Sequence, residues 1–159
     1  MITDRQIKLV IGSLLHDIGK VVYRSGDGRN HSQSGYEYLK TEAKIFDQNI
    51  LNCVRFHHGK NLRTAQVADD DLSYLTYYAD NIAAFTDRRE AEEGEGGFDK
   101  TVPLDSVFNI LNGNHEKKHY AMQVLDPHAG INYPTDQPVS MDEHFYKTVI
   151  QNITECLRG

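Results

Sequence analysis

Six side chains in this sequence have the types and grouping needed to hold a divalent metal: His16 and Asp17, His31, His57 and His58, and Asp80. Imidazole and carboxylate together suit manganese, iron, cobalt, nickel or zinc, whereas so much imidazole is a poor match for magnesium. In the adjacent pair His16-Asp17, side chains on a helix diverge by about 100°. The histidine can then complete the shell of one ion while the carboxylate bridges toward a second. Gly12 and Gly19 flank His16 on its own helical face, and bare neighbours there are expected to leave space for an ion and a substrate phosphate. Phosphodiester hydrolysis needs a nucleophile at neutral pH and neutralisation of charge on the phosphoryl oxygens, and a metal provides both. In this scheme Asp17 bridges two ions or holds one, and His16, His57 and Asp80 complete the cluster. His58 and His31 face a second ion. Lys20, one helical turn beyond His16, can reach a phosphate or help a leaving oxygen. Arg88 and Arg89 can track the backbone of a strand.

Each of these residues also has an ordinary explanation. Asp17 can pair with Lys20 at the surface, a contact worth little. His31 can cap a turn, and His57-His58 can sit at a helix end because imidazolium suits the negative end of the dipole. Asp80 can be a solvated carboxylate, and Lys20, Arg88 and Arg89 can be solvated helix charges. What favours a joint site is that all six candidate ligands fall in the first half of the chain, within one set of predicted helices.

Those helices follow from caps and periodicity. Thr3 and Gln6 form a capping-box pattern, and Ile7, Val10, Leu14, Ile18 and Val21 then make one apolar stripe on a first helix that carries His16 and Asp17. After the turn-rich SGDGRN at 25–30, a second helix begins near His31 or Ser32 and runs through Tyr36, Leu39 and Ala43. A third starts at Asp47, carries Ile50, Leu51, Val54 and Phe56, and stops at Gly59 after His57-His58. Asp69-Asp70-Asp71 precedes a fourth, whose stripe of Leu75, Ala79, Ile82 and Phe85 reaches about Arg89. The acidic, glycine-rich stretch that follows reads as a mobile linker over 91–103. In the 104–159 extension, SVFNILN and HYAMQVLD flank GNHEKK as two candidate strands and a turn, short apolar runs that can equally be helical, and MDEHFYKTVIQNITECLRG closes the chain as an amphipathic helix.

LLHDIGKVVYR, HSQSG, RFHHG and YYADNIAAFTDRRE, in that order, resemble the HD nuclease domain at the N-terminus of the large subunit of type III-A CRISPR effector complexes. The likeness spans residues 1 to about 90 by motif, and PLDSVFNIL and HYAMQVL are similar to the stretch that follows in that family. HDIGK alone indicates only the broad HD phosphohydrolase superfamily; the ordered set is more specific. The resemblance implies a mainly α fold: an HD-type helical bundle over 1–90, then the linker, then a small extension with a possible β-hairpin and closing helix that leads toward a palm domain. It also implies metal-dependent hydrolysis of single-stranded DNA with one or two ions of manganese, nickel or cobalt. Other domains and subunits of a ribonucleoprotein complex are the implied partners. Carried over motif by motif, the metal positions are His16, Asp17, His57, His58 and Asp80, with His31 beside them. No histidine precedes His16, unlike the ordinary superfamily pattern, which leaves room for His115, His119 or another late histidine as a ligand. No GGDD motif is present, so the cyclase machinery of such subunits is absent. An HD-type nucleotide phosphohydrolase, or a docking module with a vestigial metal site, would share many of these features.

The bulk properties set the frame. The chain has 159 residues, enough for one domain with a real core. Seventeen basic against 23 acidic side chains give a net charge of −6, which argues against binding nucleic acid through a broad basic surface. Bound cations can reverse the sign locally at a carboxylate-rich site. No apolar run is long enough for a membrane span, and the N-terminus lacks the basic region of a signal peptide. Cys53 and Cys156 stand far apart in no CxxC frame, as expected of reduced thiols in the cytoplasm.

Overall fold

The structure, a computed structural model, describes residues 2–84, 106–109, 111, 115–120, 128, 130, 133–136 and 141–159. Seven α-helices carry these residues: α1 (Asp4–Leu15), α2 (Ile18–Arg24), α3 (His31–Thr41), α4 (Gln48–Phe56), α5 (Gly59–Thr64), α6 (Leu72–Ala83) and α7 (Glu143–Arg158). The fold is mainly α, as expected. The helix starts are written in the sequence. Thr3 and Gln6 exchange both bonds of a capping box. Asn30, Asp47, Asp71 and Asp142 each accept backbone N–H bonds at the head of α3, α4, α6 and α7. Such caps satisfy donors that a helix leaves open, at about 1 kcal/mol each.

The core gathers Val22, Tyr38, Leu39, Ala43, Leu51 and Val54, with Leu15, Ile18, Tyr36, Ile45, Ile150 and Leu157 packed against it. The closing helix α7 is anchored by the Tyr38 hydroxyl on Thr154 at 2.9 Å and by Arg158 donating to the Glu42 carbonyl at 2.7 Å.

Several expectations need correction. The first helix is two: the chain breaks at His16-Asp17, where Asp17 takes φ −98° and ψ 8°. Its stripe is not the buried one either, since Val10 and Leu14 are 65% and 81% exposed. The face of α1 that meets α4 holds Gly12, because a Cβ there would stand 2.7 Å from the Cβ of Cys53. Close approach, and not side-chain hydrophobicity, chooses the face. On α6 the same holds: Leu72, Ser73 and Thr76 are buried while Leu75 and Ile82 are exposed. Gly59 does not end the third helix in open chain but begins the short α5.

In the extension, Val107–Asn109 is a 3-10 turn in place of the first strand. His119 pairs in an isolated antiparallel bridge with Thr135, and no strand occurs among the described residues. The expected linker at 91–103 and most of the second candidate strand lie outside the described residues, as does the end of the fourth helix beyond Ala84.

Candidate metal centre

Four segments bring the candidate ligands together. His16 and Asp17 occupy the turn between α1 and α2. His31 opens α3, directly after its cap Asn30. His57 ends α4, and His58 joins it to α5. Asp80 lies in the last part of α6. Because the backbone leaves helical geometry at Asp17, its carboxylate does not diverge from His16 as a continuous helix would require. Both point into one site, with His16 Nε2 3.4 Å from Asp17 Oδ2.

The glycines expected to leave room for an ion do something else. A Cβ on Gly19 would lie 1.6 Å from the carbonyl oxygen of His31 and 2.7 Å from the Gly35 nitrogen. Glycine at 19 and 35 lets α2 and α3 touch backbone to backbone, and that contact delivers His31 to Asp17.

The polar atoms converge. His16 Nε2 is 3.5 Å from Asp80 Oδ1. Asp17 Oδ1 lies 3.6 Å from His31 Nε2 and 3.7 Å from His57 Nε2. His31 Nε2 is 3.3 Å from His57 Nε2 and 2.7 Å from His58 Nε2. Two ligands about 2.1 Å from a common ion stand roughly 3.0–3.4 Å apart at octahedral or tetrahedral angles. Most of the observed separations lie within a few tenths of an ångström of that range, and the 2.7 Å contact is a hydrogen bond between imidazoles. His31, His57 and His58 alone offer three nitrogens within 4.8 Å of one another.

Protonation favours the same use. His57 Nδ1 donates to the Val54 carbonyl and His16 Nδ1 to the Ser13 carbonyl, each at 2.7 Å. These bonds fix the tautomer and leave both Nε2 lone pairs facing the site, as in metal-ligating histidines. His16 Nε2 is buried and makes no hydrogen bond, a costly state that a cation would relieve. Burial, followed by repulsion from His58, holds His57 down at about 4. His31 and His58 are also lowered, chiefly by burial. Neutral imidazoles of this kind are not dipole-capping imidazolium groups. His16 is raised by the adjacent Asp17 carboxylate. Burial works against ionisation of Asp17, but the neighbouring His16 ring and the Lys20 ammonium outweigh it and hold the carboxyl well below its usual range. The donor set, its spacing and its charge fit a divalent metal.

Lys20 Nζ bonds Asp17 Oδ2 at 2.6 Å, so the ordinary pairing weighed for it is present. It also lines, with Tyr23, Arg24, Asn30 and His31, a cleft of about 390 Å³ that opens beside the cluster. Arg88 and Arg89 lie outside the described residues. His115 is exposed, and His119 pairs through its backbone with Thr135. Sequence reasoning missed the Ser13 and Val54 carbonyls, which no residue type announces, and Tyr23, Arg24 and Asn30, whose place beside the site depends on the helix break.

A helical bundle with this histidine–aspartate cluster defines a divalent-metal-binding HD domain, and the chain belongs to the HD domain family, which matches residues 2–129. Among individual proteins it is similar to the CRISPR system single-strand-specific deoxyribonuclease Cas10/Csm1 (subtype III-A) of Enterococcus italicus, with 36% identity over 164 residues. That match covers 97% of this chain and 22% of the relative. Proteins of the same name from Mycobacterium tuberculosis and Streptococcus thermophilus are 31% and 30% identical, over 95% and 87% of this chain. The chain spans 22% and 19% of their lengths.

Proposed function

We propose that this chain is the HD nuclease domain of a type III CRISPR effector large subunit and hydrolyses phosphodiester bonds of single-stranded DNA. The observation that carries the reading is the convergence of four imidazoles and two carboxylates beside an open cleft lined by Lys20 and Arg24. His16, Asp17, His31, His57, His58 and Asp80 would hold one or two ions of manganese, nickel or cobalt. Such an ion supplies a nucleophile at neutral pH and neutralises charge on the phosphate. Asp17 is the shared group, reaching His16, His31, His57 and Lys20. Lys20, half exposed, can turn from Asp17 to a phosphate oxygen of the strand. Arg88 and Arg89 are proposed as further strand contacts on their charge alone.

The names of the relatives support the substrate class, and their greater length supports a role as one domain of a larger subunit. We further propose residues 1–90 as the nuclease core, 91–103 as a linker and 104–159 as an extension toward a palm domain. The apolar side chains that α1 and α6 leave at the surface, Val10, Leu14, Leu75 and Ile82 among them, offer a face for such neighbouring domains. No described helix is long and apolar enough to cross a membrane; the reading puts the domain in the cytoplasm, within a ribonucleoprotein complex.

The test compares substrates in manganese. Unstructured single-stranded DNA should be cut while duplex stays largely intact. Faster turnover of mononucleotides than of oligonucleotides would point instead to a nucleotide phosphohydrolase, and no hydrolysis with any transition metal would leave a docking module.

A further inference from the structure

A second cleft, between α5 and α6, joins aromatic rings to cations. Its volume is about 320 Å³, and Gly59, Leu62, Arg63, Tyr74, Tyr77 and Tyr78 line it. It adjoins the metal centre through the chain itself. Gly59 follows His58 directly, and the Tyr77 ring rests on Gly59, its hydroxyl 3.2 Å from where a Cβ would stand. Tyr77 in turn precedes Asp80 by one turn of α6. Neighbours of two candidate ligands therefore build the floor of the cleft.

The lining is unusual for a surface of this chain. Tyr78 is 61% exposed, and its ring centre lies 5.3 Å from that of Tyr77 at an interplanar angle of 59°. Arg63 stands at the rim, and Lys60 lies one turn before it on α5; both are exposed and neither forms an ion pair with a described residue. On a molecule of net charge −6, these two cations place positive charge on the helix that carries one wall of the tyrosine-lined cleft.

Aromatic faces with flanking cations are the chemistry that holds single-stranded nucleic acid: every base has a π face to stack, and the phosphates follow the positive charge. The volume is at the low end of the roughly 300–1,000 Å³ typical of small-ligand clefts, which suits one base and not a stacked run. Bases of a duplex are already stacked and paired, so only an unpaired strand can offer one. We propose that the α5–α6 cleft is a base-stacking subsite, in which Tyr78 takes a nucleobase next to the scissile phosphate and Arg63 and Lys60 meet the flanking phosphates. This rests on the single-strand nuclease reading of the histidine cluster and adds a source for its strand preference.

The test is binding of a labelled thymidine oligonucleotide to the full chain, followed by fluorescence anisotropy with metal chelated, so that no cleavage intervenes. Tyr78→Ala should raise Kd by about five-fold or more, the loss expected for one stacked base. Tyr78→Phe should restore wild-type Kd, because stacking needs the ring and not the hydroxyl. Arg63→Gln should reduce the slope of log Kd against log salt by about 0.7, the share of one phosphate on a single strand. An oligonucleotide made abasic throughout should bind wild type and Tyr78→Ala alike. Wild-type affinity of Tyr78→Ala for the intact strand, in a protein that circular dichroism shows to be folded, overturns the subsite. If the stacking pattern holds but wild type never cuts the strand in manganese, the nuclease reading falls and the binding site stands.

Discussion

At the scale of single residues, Asp17 organises the cluster, because one carboxylate faces three imidazoles and an ammonium at once. His16 is its most telling neighbour. Its Nδ1 is committed to Ser13, and its buried Nε2 has no hydrogen bond. His16→Gln removes that lone pair, and we expect transition-metal affinity to fall at least ten-fold, the lower end of what even ligand-orienting partners contribute. Calorimetric titration with manganese or nickel measures it. The melting temperature of the metal-free protein should fall by only a few degrees, since the one hydrogen bond lost is that of Nδ1 to Ser13, worth about 1 kcal/mol. All six residues of the cluster were visible in the sequence from their types and grouping. The second cleft and the Ser13 and Val54 carbonyls were not, since backbone acceptors and the rims of grooves leave no compositional mark.

At the scale of elements, five of the helix starts were legible because each rests on a local bond: Thr3 with Gln6, Asn30, Asp47, Asp71, and Asp142 with the N–H of Phe145. Which face each helix buries was not. An apolar stripe identified the wrong side of α1 and α6, since small residues allow the closer packing and leave Leu14 and Ile82 at the surface. The break at Asp17 and the start of α5 at Gly59 also depend on tertiary contacts that periodicity does not register. Gly19 offers a direct test. Gly19→Ala forces α2 away from His31, and overpacking of this kind costs about 1–3 kcal/mol, or roughly 2–4 °C of melting temperature per kcal/mol in a chain this size. Metal affinity should fall in parallel as His31 retreats. Gly28→Ala, whose Cβ would meet nothing within 4 Å, should melt and bind metal as wild type does. Equal behaviour of the two variants would show that the α2–α3 contact does not set the site.

At the scale of the whole molecule, the proposed function sets an acidic domain to act on a polyanion, and local positive charge would reconcile the two. Lys20 and Arg24 line the cleft beside the cluster and Lys60 and Arg63 stand on α5, and bound ions would add to them. Leu39, Leu51 and Val54 are buried in an apolar core that holds none of the six clustered residues. Metal should therefore add to stability by mass action, about 2.7 kcal/mol at a hundred times its Kd, without being needed for folding. The measurement that bears most directly on the central claim is single-stranded DNA cleavage across a manganese titration, for wild type and Asp17→Asn, with melting curves of both in chelator. Asparagine keeps the volume and removes the charge. The account predicts that wild-type cleavage rises saturably with manganese, that the variant loses activity by orders of magnitude, and that the two melt alike without metal. Cleavage by Asp17→Asn at the wild-type rate would contradict it.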